Sequence, residues 1–240
     1  MQENQFAMKK TILILLVFLL FLPFAEAQDK PTKVAPDIER TNNLLPVLPL
    51  HAETTDQPAF LSAFIIQTVG LLGGAWNWVS FFVEASDTAE LLEMFKTSAG
   101  NHVSQIESAL YGIDIYDESG WFDDFNALTY EDMYLVEAND DCTIVLQGEP
   151  VDPANYPITI YPQQWNWIGF PCTEVVNLVD ALAGFEAEDE DQVEGPEGLS
   201  MYDGEWFDAF DMTPGHGYLY WSNSPAGSAP KTLIIHTETK

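Results

Sequence analysis

The spacing of apolar and polar residues changes along this chain, and its clearest pattern is the stretch WNWVSF at 76–81. Because side chains alternate along a strand, Trp76 and Trp78 share one face and Asn77 and Val79 share the other. Aromatic and β-branched residues favour this extended conformation. Since both faces carry apolar groups, the pattern predicts a strand that is buried on both sides.

The aromatic phrase returns as WNWIGF at 165–170, and a helical period follows both copies. After the first copy, Asp87 precedes Glu90 by three residues, which is the spacing of a helix start. Two leucines and Phe95 then form one apolar stripe. After the second copy, VVNLVDALAGF at 175–185 has the same period, and its glycine is a typical helix terminator. The pattern predicts one helix after each WNW strand.

Short strands separated by turn residues come next in both halves. In the first half, the segment 113–116 leads through DESG to 121–125, which predicts a hairpin with an aromatic return strand. In the second half, the segment 199–202 leads through an Asp-Gly turn to 206–210. We expect a last strand pair between 134–137 and 143–146.

These matched patterns indicate an internal repeat. In unchanged order, WFDDF at 121–125 returns as WFDAF at 206–210, Tyr134-Leu135 returns as Tyr218-Leu219, and TIVL at 143–146 returns as TLII at 232–235. The sequence therefore predicts an α+β protein of two tandem β-rich modules, each a small antiparallel sheet with one helix. Module 1 spans 60–154, and module 2 spans 155–240.

The segments before the modules have different compositions. Two lysines, the apolar run TILILLVFLLFLPF and the small-residue pattern AEA predict a secretory signal peptide over 1–27. An uncleaved membrane anchor is the alternative, but the run is shorter than the roughly 18 to 20 residues that a spanning helix needs. The proline-rich segment 28–59 predicts a linker. We therefore expect an exported protein in the periplasm, on the cell surface or in the medium, without a membrane span after signal cleavage.

Charge narrows the range of partners. The chain has 38 acidic residues against 8 Lys and Arg, a formal net charge of −30. Nucleic acids and anionic lipids are bound by clustered Lys and Arg, so both are excluded as partners. A hydrophobic content of 47% is far from that of a disordered chain. The two cysteines, Cys142 and Cys172, lie in the exported part, where a disulfide between them is one of two open alternatives.

With the WNW phrases, the helices, the Trp-aromatic-Asp hairpins and the Tyr-Leu strands in view, the chain resembles a known family. It is similar to the tandem WNWIS/WNWIG repeat modules of secreted and surface proteins in Bacteroidetes-type bacteria. The resemblance covers roughly 60–240 and implies a bacterial cell-surface or secreted location. It brings no assigned chemistry. The chain departs from the family pattern at 101–106 and 188–193, where that pattern has a basic stretch.

Catalytic motifs are absent from the sequence. It has no zinc-protease His-Glu pair, no Gly-x-Ser-x-Gly elbow and no phosphate-binding glycine loop. The most conspicuous histidine, His216, lies in a Pro-Gly-His-Gly segment and is interpreted as a turn residue. We therefore expect no enzymatic activity and no cofactor other than the calcium considered below.

Two kinds of binding site remain as candidates. Trp121 and Trp206 could stack on sugar rings while nearby polar groups bind hydroxyls, namely Tyr116, Tyr202, Asp117 and Asp203. The alternative places these tryptophans in the cores. A calcium site is the second candidate, formed by Asp123, Asp124, Asp208 and Asp211, with a solvated acidic face as its alternative. The acidic stretch 186–198 predicts a flexible loop.

Together these patterns predict an exported, non-catalytic binding or structural repeat protein of an adhesive or glycan-binding kind. Its expected partners are an extracellular glycan or a surface protein. The alternative function is a secreted glycan-processing hydrolase that uses acidic residues, which requires two facing carboxylates in a cleft.

Overall fold

The computed structural model describes residues 64–110, 112–122 and 126–237. The predicted signal peptide at 1–27, the linker at 28–59 and the residues Asp123 and Asp124 lie outside this part of the chain. The described part is rich in short antiparallel strands and has few helices. None of the helices described is long and apolar enough to cross a bilayer.

The elements of the first half are eight strands and one helix. The strands are β1 (Ile65–Leu71), β2 (Trp76–Val79), β3 (Val83–Glu84), β4 (Val103–Ser108), β5 (Gly112–Asp117), β6 (Gly120–Phe122), β7 (Tyr134–Ala138) and β8 (Cys142–Pro150). The helix α1 (Thr88–Ala99) lies between β3 and β4.

The second half begins with a short 3-10 turn at Pro153–Asn155 and continues with nine strands and a short helix. The strands are β9 (Ile158–Ile160), β10 (Trp165–Ile168), β11 (Val176–Asn177), β12 (Gln192–Gly195), β13 (Gly198–Tyr202), β14 (Trp206–Phe207), β15 (Asp211–Met212), β16 (Tyr218–Trp221) and β17 (Lys231–Leu233). The helix α2 is Leu178–Ala181.

Two five-stranded sheets have corresponding strand orders. The first sheet has the order β2-β7-β4-β5-β6, and the second sheet has the order β10-β16-β12-β13-β14. All neighbours within them are antiparallel. Smaller sheets join β1, β8 and β3, then β9 and β17, then β11 and β15. Each WNW strand therefore lies at the edge of a sheet.

The two predicted hairpins are confirmed, but the strands between helix and hairpin were not predicted. The hairpins are β5–β6 and β13–β14. The expected pairing of 134–137 with 143–146 is wrong, because β7 lies between β2 and β4 whereas β8 pairs with β1 and β3. The acidic stretch 186–198 is also not simply a loop, since it contains β12, the central strand of the second sheet.

The helix α1 begins where the sequence predicts it. The Asp87 side chain accepts a hydrogen bond from the backbone N–H of Glu90 at 2.8 Å, and the Glu90 carboxylate accepts one from the N–H of Ser86 at 2.8 Å. This reciprocal cap satisfies N–H groups that have no partner within the helix. The stripe that ends at Phe95 is buried in the hydrophobic core of the first half.

The helix α2 is much shorter than the pattern at 175–185 predicts. The side chain of Asn177 caps its start by accepting a hydrogen bond from the N–H of Val179 at 3.1 Å. The residues just before it pair with β15 as a strand. Gly184, with a φ of 81°, ends the segment, as the sequence indicates. Only one helical turn forms, and Val175 and Val179 remain exposed.

The asparagine of each WNW phrase holds the turn that precedes the strand. Asn77 accepts a hydrogen bond from the N–H of Leu72 at 2.9 Å, and Asn166 accepts one from the N–H of Tyr161 at 2.8 Å. Each amide N–H₂ also donates to three backbone carbonyls, those of Leu72, Ala75 and Val136 in the first half and of Tyr161, Gln164 and Tyr220 in the second. The same network therefore occurs twice.

The tryptophans beside these asparagines lie on the other face, and all four are half-buried. The expectation of a strand buried on both sides is therefore wrong. Among the apolar side chains of the two strands, only Val79 and Ile168 at the strand ends are fully buried in the cores. An edge strand has only one neighbour in its sheet, so its outward side chains keep contact with water.

The residue after each WNW strand contacts the other half of the chain. The N–H of Ser80 donates to the carbonyl of Gly215 at 2.9 Å, and the N–H of Gly169 donates to the carbonyl of Glu131 at 2.7 Å. Ser80 and Gly169 hold the same position in the two phrases. A Cβ at Gly169 would lie 2.1 Å from the carbonyl oxygen of Tyr130, so the second phrase requires glycine there.

The loop that receives Ser80 is held by a hydrogen bond between the side chains of His216 and Glu197. Nδ1 of His216 lies 2.6 Å from Oε1 of Glu197, whose side chain is 19% exposed. Burial raises the pKa of Glu197, but hydrogen bonds from His216 and Thr213 outweigh it and lower that pKa. His216 directly follows the Pro214-Gly215 turn, which its N–H closes by donating to the carbonyl of Thr213, and it forms an isolated β-bridge with Val79.

We predict that Glu197→Gln lowers the free energy of unfolding at pH 7 by about 1 kcal/mol or less, because a charge-assisted contact is lost. A lowered folded pKa stabilises the protein above the ordinary value of 4.5, and this contribution disappears as pH falls through the folded pKa. Urea unfolding at pH 7 and at pH 3 measures the difference. Glu205→Gln, on the turn between β13 and β14, is the exposed control. A stability difference between Glu197→Gln and the unsubstituted protein that is as large at pH 3 as at pH 7 contradicts the role given to Glu197.

Candidate functional site

The tryptophans predicted to stack on sugars pack against the cores. The ring centroid of Trp121 lies 6.2 Å from that of Phe95 and 5.4 Å from that of Tyr116. Trp206 lies 5.3 Å from Tyr202 in the same way, and both tryptophans are half-buried. These rings are on the core side of their hairpins. The next residue along each strand faces the opposite way.

The predicted acidic groups lie at strand ends or on the turns between strands. Asp117 accepts hydrogen bonds from the hydroxyl and the N–H of Ser119, which lower its pKa, and Asp203 is exposed. Asp208 is exposed, and Asp211 accepts a hydrogen bond from Asn177 at 3.1 Å. Within 64–110, 112–122 and 126–237, no three His, Cys, Asp or Glu side chains are grouped so that they could hold a metal ion.

The two cysteines are free thiols in this structure. Cys142 packs against the hydrophobic core of the first half, and Cys172 is buried in that of the second half. Burial raises the pKa of the Cys172 thiol to about 12, and it also raises that of Cys142. Neither thiol is therefore activated as a nucleophile.

The first sheet has a face turned away from the core, which we call the first outer face. Residues directly opposite each other on antiparallel strands point to the same side, so the register defines rows of side chains across the sheet. One row is Trp76, Glu137, Gln105, Ile115 and Phe122, and the next is Trp78, Leu135, Glu107 and Ile113.

The second sheet has a matching face, the second outer face. Its first row is Trp165, Trp221, Gln192, Met201 and Phe207, and its second row is Trp167, Leu219, Glu194 and Leu199. Row by row, every position except one carries an identical or closely similar side chain. The exception is Glu137 in the first sheet, which corresponds to Trp221 in the second.

On both outer faces, the side chains of the two hairpin strands are exposed and apolar. In the first face, Ile113, Ile115 and Phe122 are 37%, 46% and 54% exposed. The corresponding residues of the second face are 52%, 47% and 48% exposed, namely Leu199, Met201 and Phe207. A sheet face with exposed apolar side chains on its hairpin strands and half-buried tryptophans on its edge strand is typical of an interaction surface.

A glutamate lies in the central strand of each outer face. Glu107 and Glu194 are half-buried, and burial raises the pKa of both carboxyl groups. Their directly opposite neighbours are Leu135 and Ile113 in the first sheet and their counterparts in the second. A carboxylate among apolar side chains destabilises the folded chain, and the same position carries one in both sheets.

We expect the double substitution Glu107→Gln/Glu194→Gln to raise the midpoint of thermal unfolding at pH 7 by about 1–3 °C. Because the pKa of each glutamate is raised in the folded state, each stabilises the fold when the pH is below the ordinary value of 4.5. This stabilisation is lost as the pH rises through the folded pKa. The double variant is therefore more stable than the unsubstituted protein at neutral pH and no more stable near pH 4. Scanning calorimetry at both pH values measures this, with exposed Glu118→Gln as control. An unfolding midpoint at pH 7 that is lower in the double variant than in the unsubstituted protein contradicts the prediction.

A shallow depression away from the outer faces lies along α1. Among the residues that line it are Asp87, Glu90, Glu93, Lys96 and Asn126. Hydrogen bonds from Ser86 lower the pKa of Glu90, which is opposite to what a general acid requires.

Comparison of the chain with protein-family models, curated proteins and solved structures finds no match. The candidate site therefore rests on the geometry of the two outer faces. One sequence signal could have indicated it. The tripeptide QIE at 105–107 and the tripeptide QVE at 192–194 stand at the same place in the two halves, between helix and hairpin.

Proposed function

We propose that this chain is an exported, non-catalytic binding protein of two tandem α+β modules, and that the outer faces of its two sheets bind an extracellular glycan. The observation that carries the proposal is the matched pattern of the two outer faces. In both, tryptophans occupy the edge strand, Gln and Glu occupy the central strand, and apolar side chains occupy the hairpin.

Glycan chemistry fits this pattern. A sugar ring has an apolar face that stacks on indole and a rim of hydroxyls that hydrogen-bonds to amides and carboxylates. Gln105 and Glu107 in the first face, with Gln192 and Glu194 in the second, supply these polar groups between the apolar flanks. With a net charge of −30, the protein disfavours polyanionic partners.

The two-module organisation is supported by details that go beyond strand order. The hydroxyl of Tyr134 accepts a hydrogen bond from the N–H of Thr129 at 2.7 Å, and that of Tyr218 accepts one from the N–H of Thr213 at 2.7 Å. Together with the paired asparagine networks, this supports a duplication with modules at 60–154 and 155–240. The resemblance to WNWIS/WNWIG modules supports the same organisation.

The N-terminal sequence supports export. A basic start, an apolar run and a small-residue cleavage pattern over 1–27 are typical of a signal peptide. Surface, periplasm and medium all meet the needs of a glycan-binding protein. The hydrolase alternative has less support, because the carboxylates of the outer faces lie on open sheets rather than in a cleft.

A glycan array probed with purified residues 28–240 tests the proposal, in calcium and in chelator. Binding that survives Trp121→Phe/Trp206→Phe but disappears in a folded Trp78→Ala/Trp167→Ala variant supports the outer faces as the site. Binding that depends on the first pair alone returns the site to the hairpin tryptophans. A folded protein without any glycan signal contradicts glycan binding, and loss of signal in chelator alone makes the calcium candidate the stronger one.

A further inference from the structure

We infer that the two outer faces differ in the sugar they select, so that the first face prefers a sugar bearing a protonated amine and the second prefers a neutral sugar. The inference rests on the proposed glycan binding and adds the chemical class of the ligand at each face. It follows from the one position where the two faces differ, Glu137 in the first and Trp221 in the second.

The exchanged position lies between the edge tryptophan and the central glutamine. Trp221 lies opposite Trp165, with ring centroids 5.7 Å apart, and its other opposite neighbour is Gln192. The second face thus has two adjacent indoles, on which an uncharged sugar ring can stack, and no carboxylate at this position. In the first face the same place carries the carboxylate of Glu137, opposite Trp76 and Gln105.

The carboxylate of Glu137 is held in position. Its Oε2 accepts a hydrogen bond from the hydroxyl of Ser104 at 3.0 Å, and the same hydroxyl also lies 3.2 Å from the Glu137 carbonyl oxygen. Ser104 lies where the register between β4 and β7 shifts by one residue. The pairing of β12 with β16 has no such shift. A bulge that orients a side chain in one sheet alone favours a specific role for that side chain.

No cation from the described chain neutralises the first face. The described residues contain two lysines and no arginine. Nζ of Lys96 lies 2.9 Å from the buried carboxylate of Asp114, and Nζ of Lys231 lies 2.8 Å from Glu188. The first face therefore presents two carboxylates, Glu137 opposite Trp76 and Glu107 in the same row as Trp78, and the described chain places no lysine or arginine there.

An ammonium group complements this arrangement in two ways. It pairs with the carboxylates, and the face of an indole attracts it as well. The second face has a single carboxylate, Glu194, in its two rows, so its attraction for a cation is weaker. Among glycans, an oligomer of glucosamine carries such ammonium groups, and its N-acetylated form is the neutral counterpart with the same linkage.

The test is isothermal titration calorimetry of the full protein with glucosamine oligomers and N-acetylglucosamine oligomers of equal length, below neutral pH so that the amine is protonated. To isolate the first face, Trp165→Ala/Trp167→Ala silences the second. We expect this variant to bind the amine form about tenfold more tightly than the acetylated form. Added Glu137→Gln, which keeps an acceptor for Ser104, should reduce that ratio to about one.

The reciprocal variant isolates the second face. In a Trp76→Ala/Trp78→Ala background, we expect the acetylated form to bind at least as tightly as the amine form, and Trp221→Glu to reverse this order. Each variant is first shown to be folded by its thermal unfolding. Equal binding of the two oligomers by the isolated first face overturns the inference and leaves the proposed glycan binding intact.

Two other outcomes are decisive. If the unsubstituted protein binds neither these oligomers nor any glycan of the array, both the inference and the proposed function fail. If oligolysine competes as strongly as the glucosamine oligomer for the first face, the site recognises ammonium groups without recognising the sugar, and the inference is overturned in favour of a basic peptide.

Discussion

Replacing Trp78 and Trp167 together by alanine should reduce glycan affinity by at least about thirtyfold, which corresponds to about 2 kcal/mol for the loss of one buried aromatic contact per face. Both side chains lie in the second row of their outer face, directly opposite Leu135 and Leu219. Because the double variant loses the same side chain from each face, no intact face remains to bind the glycan. Affinity measured by titration on the best glycan of the array tests this.

The control for this prediction uses the tryptophans of the opposite side. Trp121→Phe/Trp206→Phe alters rings that contact Phe95 and Tyr202 and leaves both outer faces unchanged. We expect this control to lower the unfolding midpoint by a few degrees, roughly the effect of 1–2 kcal/mol, and to keep glycan affinity within about twofold. If the control loses affinity and the outer-face variant keeps it, the site assignment is wrong.

The comparison of these two variants also shows what the sequence could and could not predict. Alternation along β6 places Trp121 and Phe122 on opposite faces, which is readable from the sequence. This alternation does not show which of the two faces is covered by other parts of the protein. That is decided by α1, whose Phe95 packs on Trp121, and by the pairing of Tyr116 with Trp121. The sequence therefore leaves both placements of the larger ring open, and in the structure the ring packs against the core.

The central strands were missed for a related reason. The segment around β12 is strongly acidic, and composition alone indicates a solvated loop. Asp191 is fully buried, because Tyr220 donates a hydrogen bond to it at 2.6 Å and the N–H of Asn223 donates another at 2.5 Å. These partners are about thirty positions away in the sequence. Nonlocal hydrogen bonds of this kind keep a carboxylate in a core and are invisible to local patterns.

The turns and hairpins were predictable because their causes are local. The capped start of α1 at Asp87 and the Asp-Gly turn before Trp206 depend on residues within a few positions of each other. The outer faces depend on register between strands far apart in the chain, such as β4 and β7. Only the recurrence of QIE and QVE carries a trace of that register in the sequence.

The largest effect on stability should come from Asn166→Ala, which we expect to lower the free energy of unfolding by about 2–4 kcal/mol. Asn166 is 6% exposed and accepts from the N–H of Tyr161 while it donates to three carbonyls. Alanine leaves these backbone groups without a partner in a place that water reaches poorly. Urea unfolding at neutral pH measures the loss.

The equivalent Asn77→Ala provides an internal calibration. Asn77 makes the same four hydrogen bonds but is half-buried, so water can replace part of what is lost. We expect a loss of about 1–2 kcal/mol there, and almost none for the exposed Asn155→Ala. Equal small losses at Asn77 and Asn166 would contradict the role assigned to the WNW asparagine. Because that asparagine fixes the turn and the strand that carries both tryptophans, Asn166→Ala should also weaken glycan binding at the second outer face.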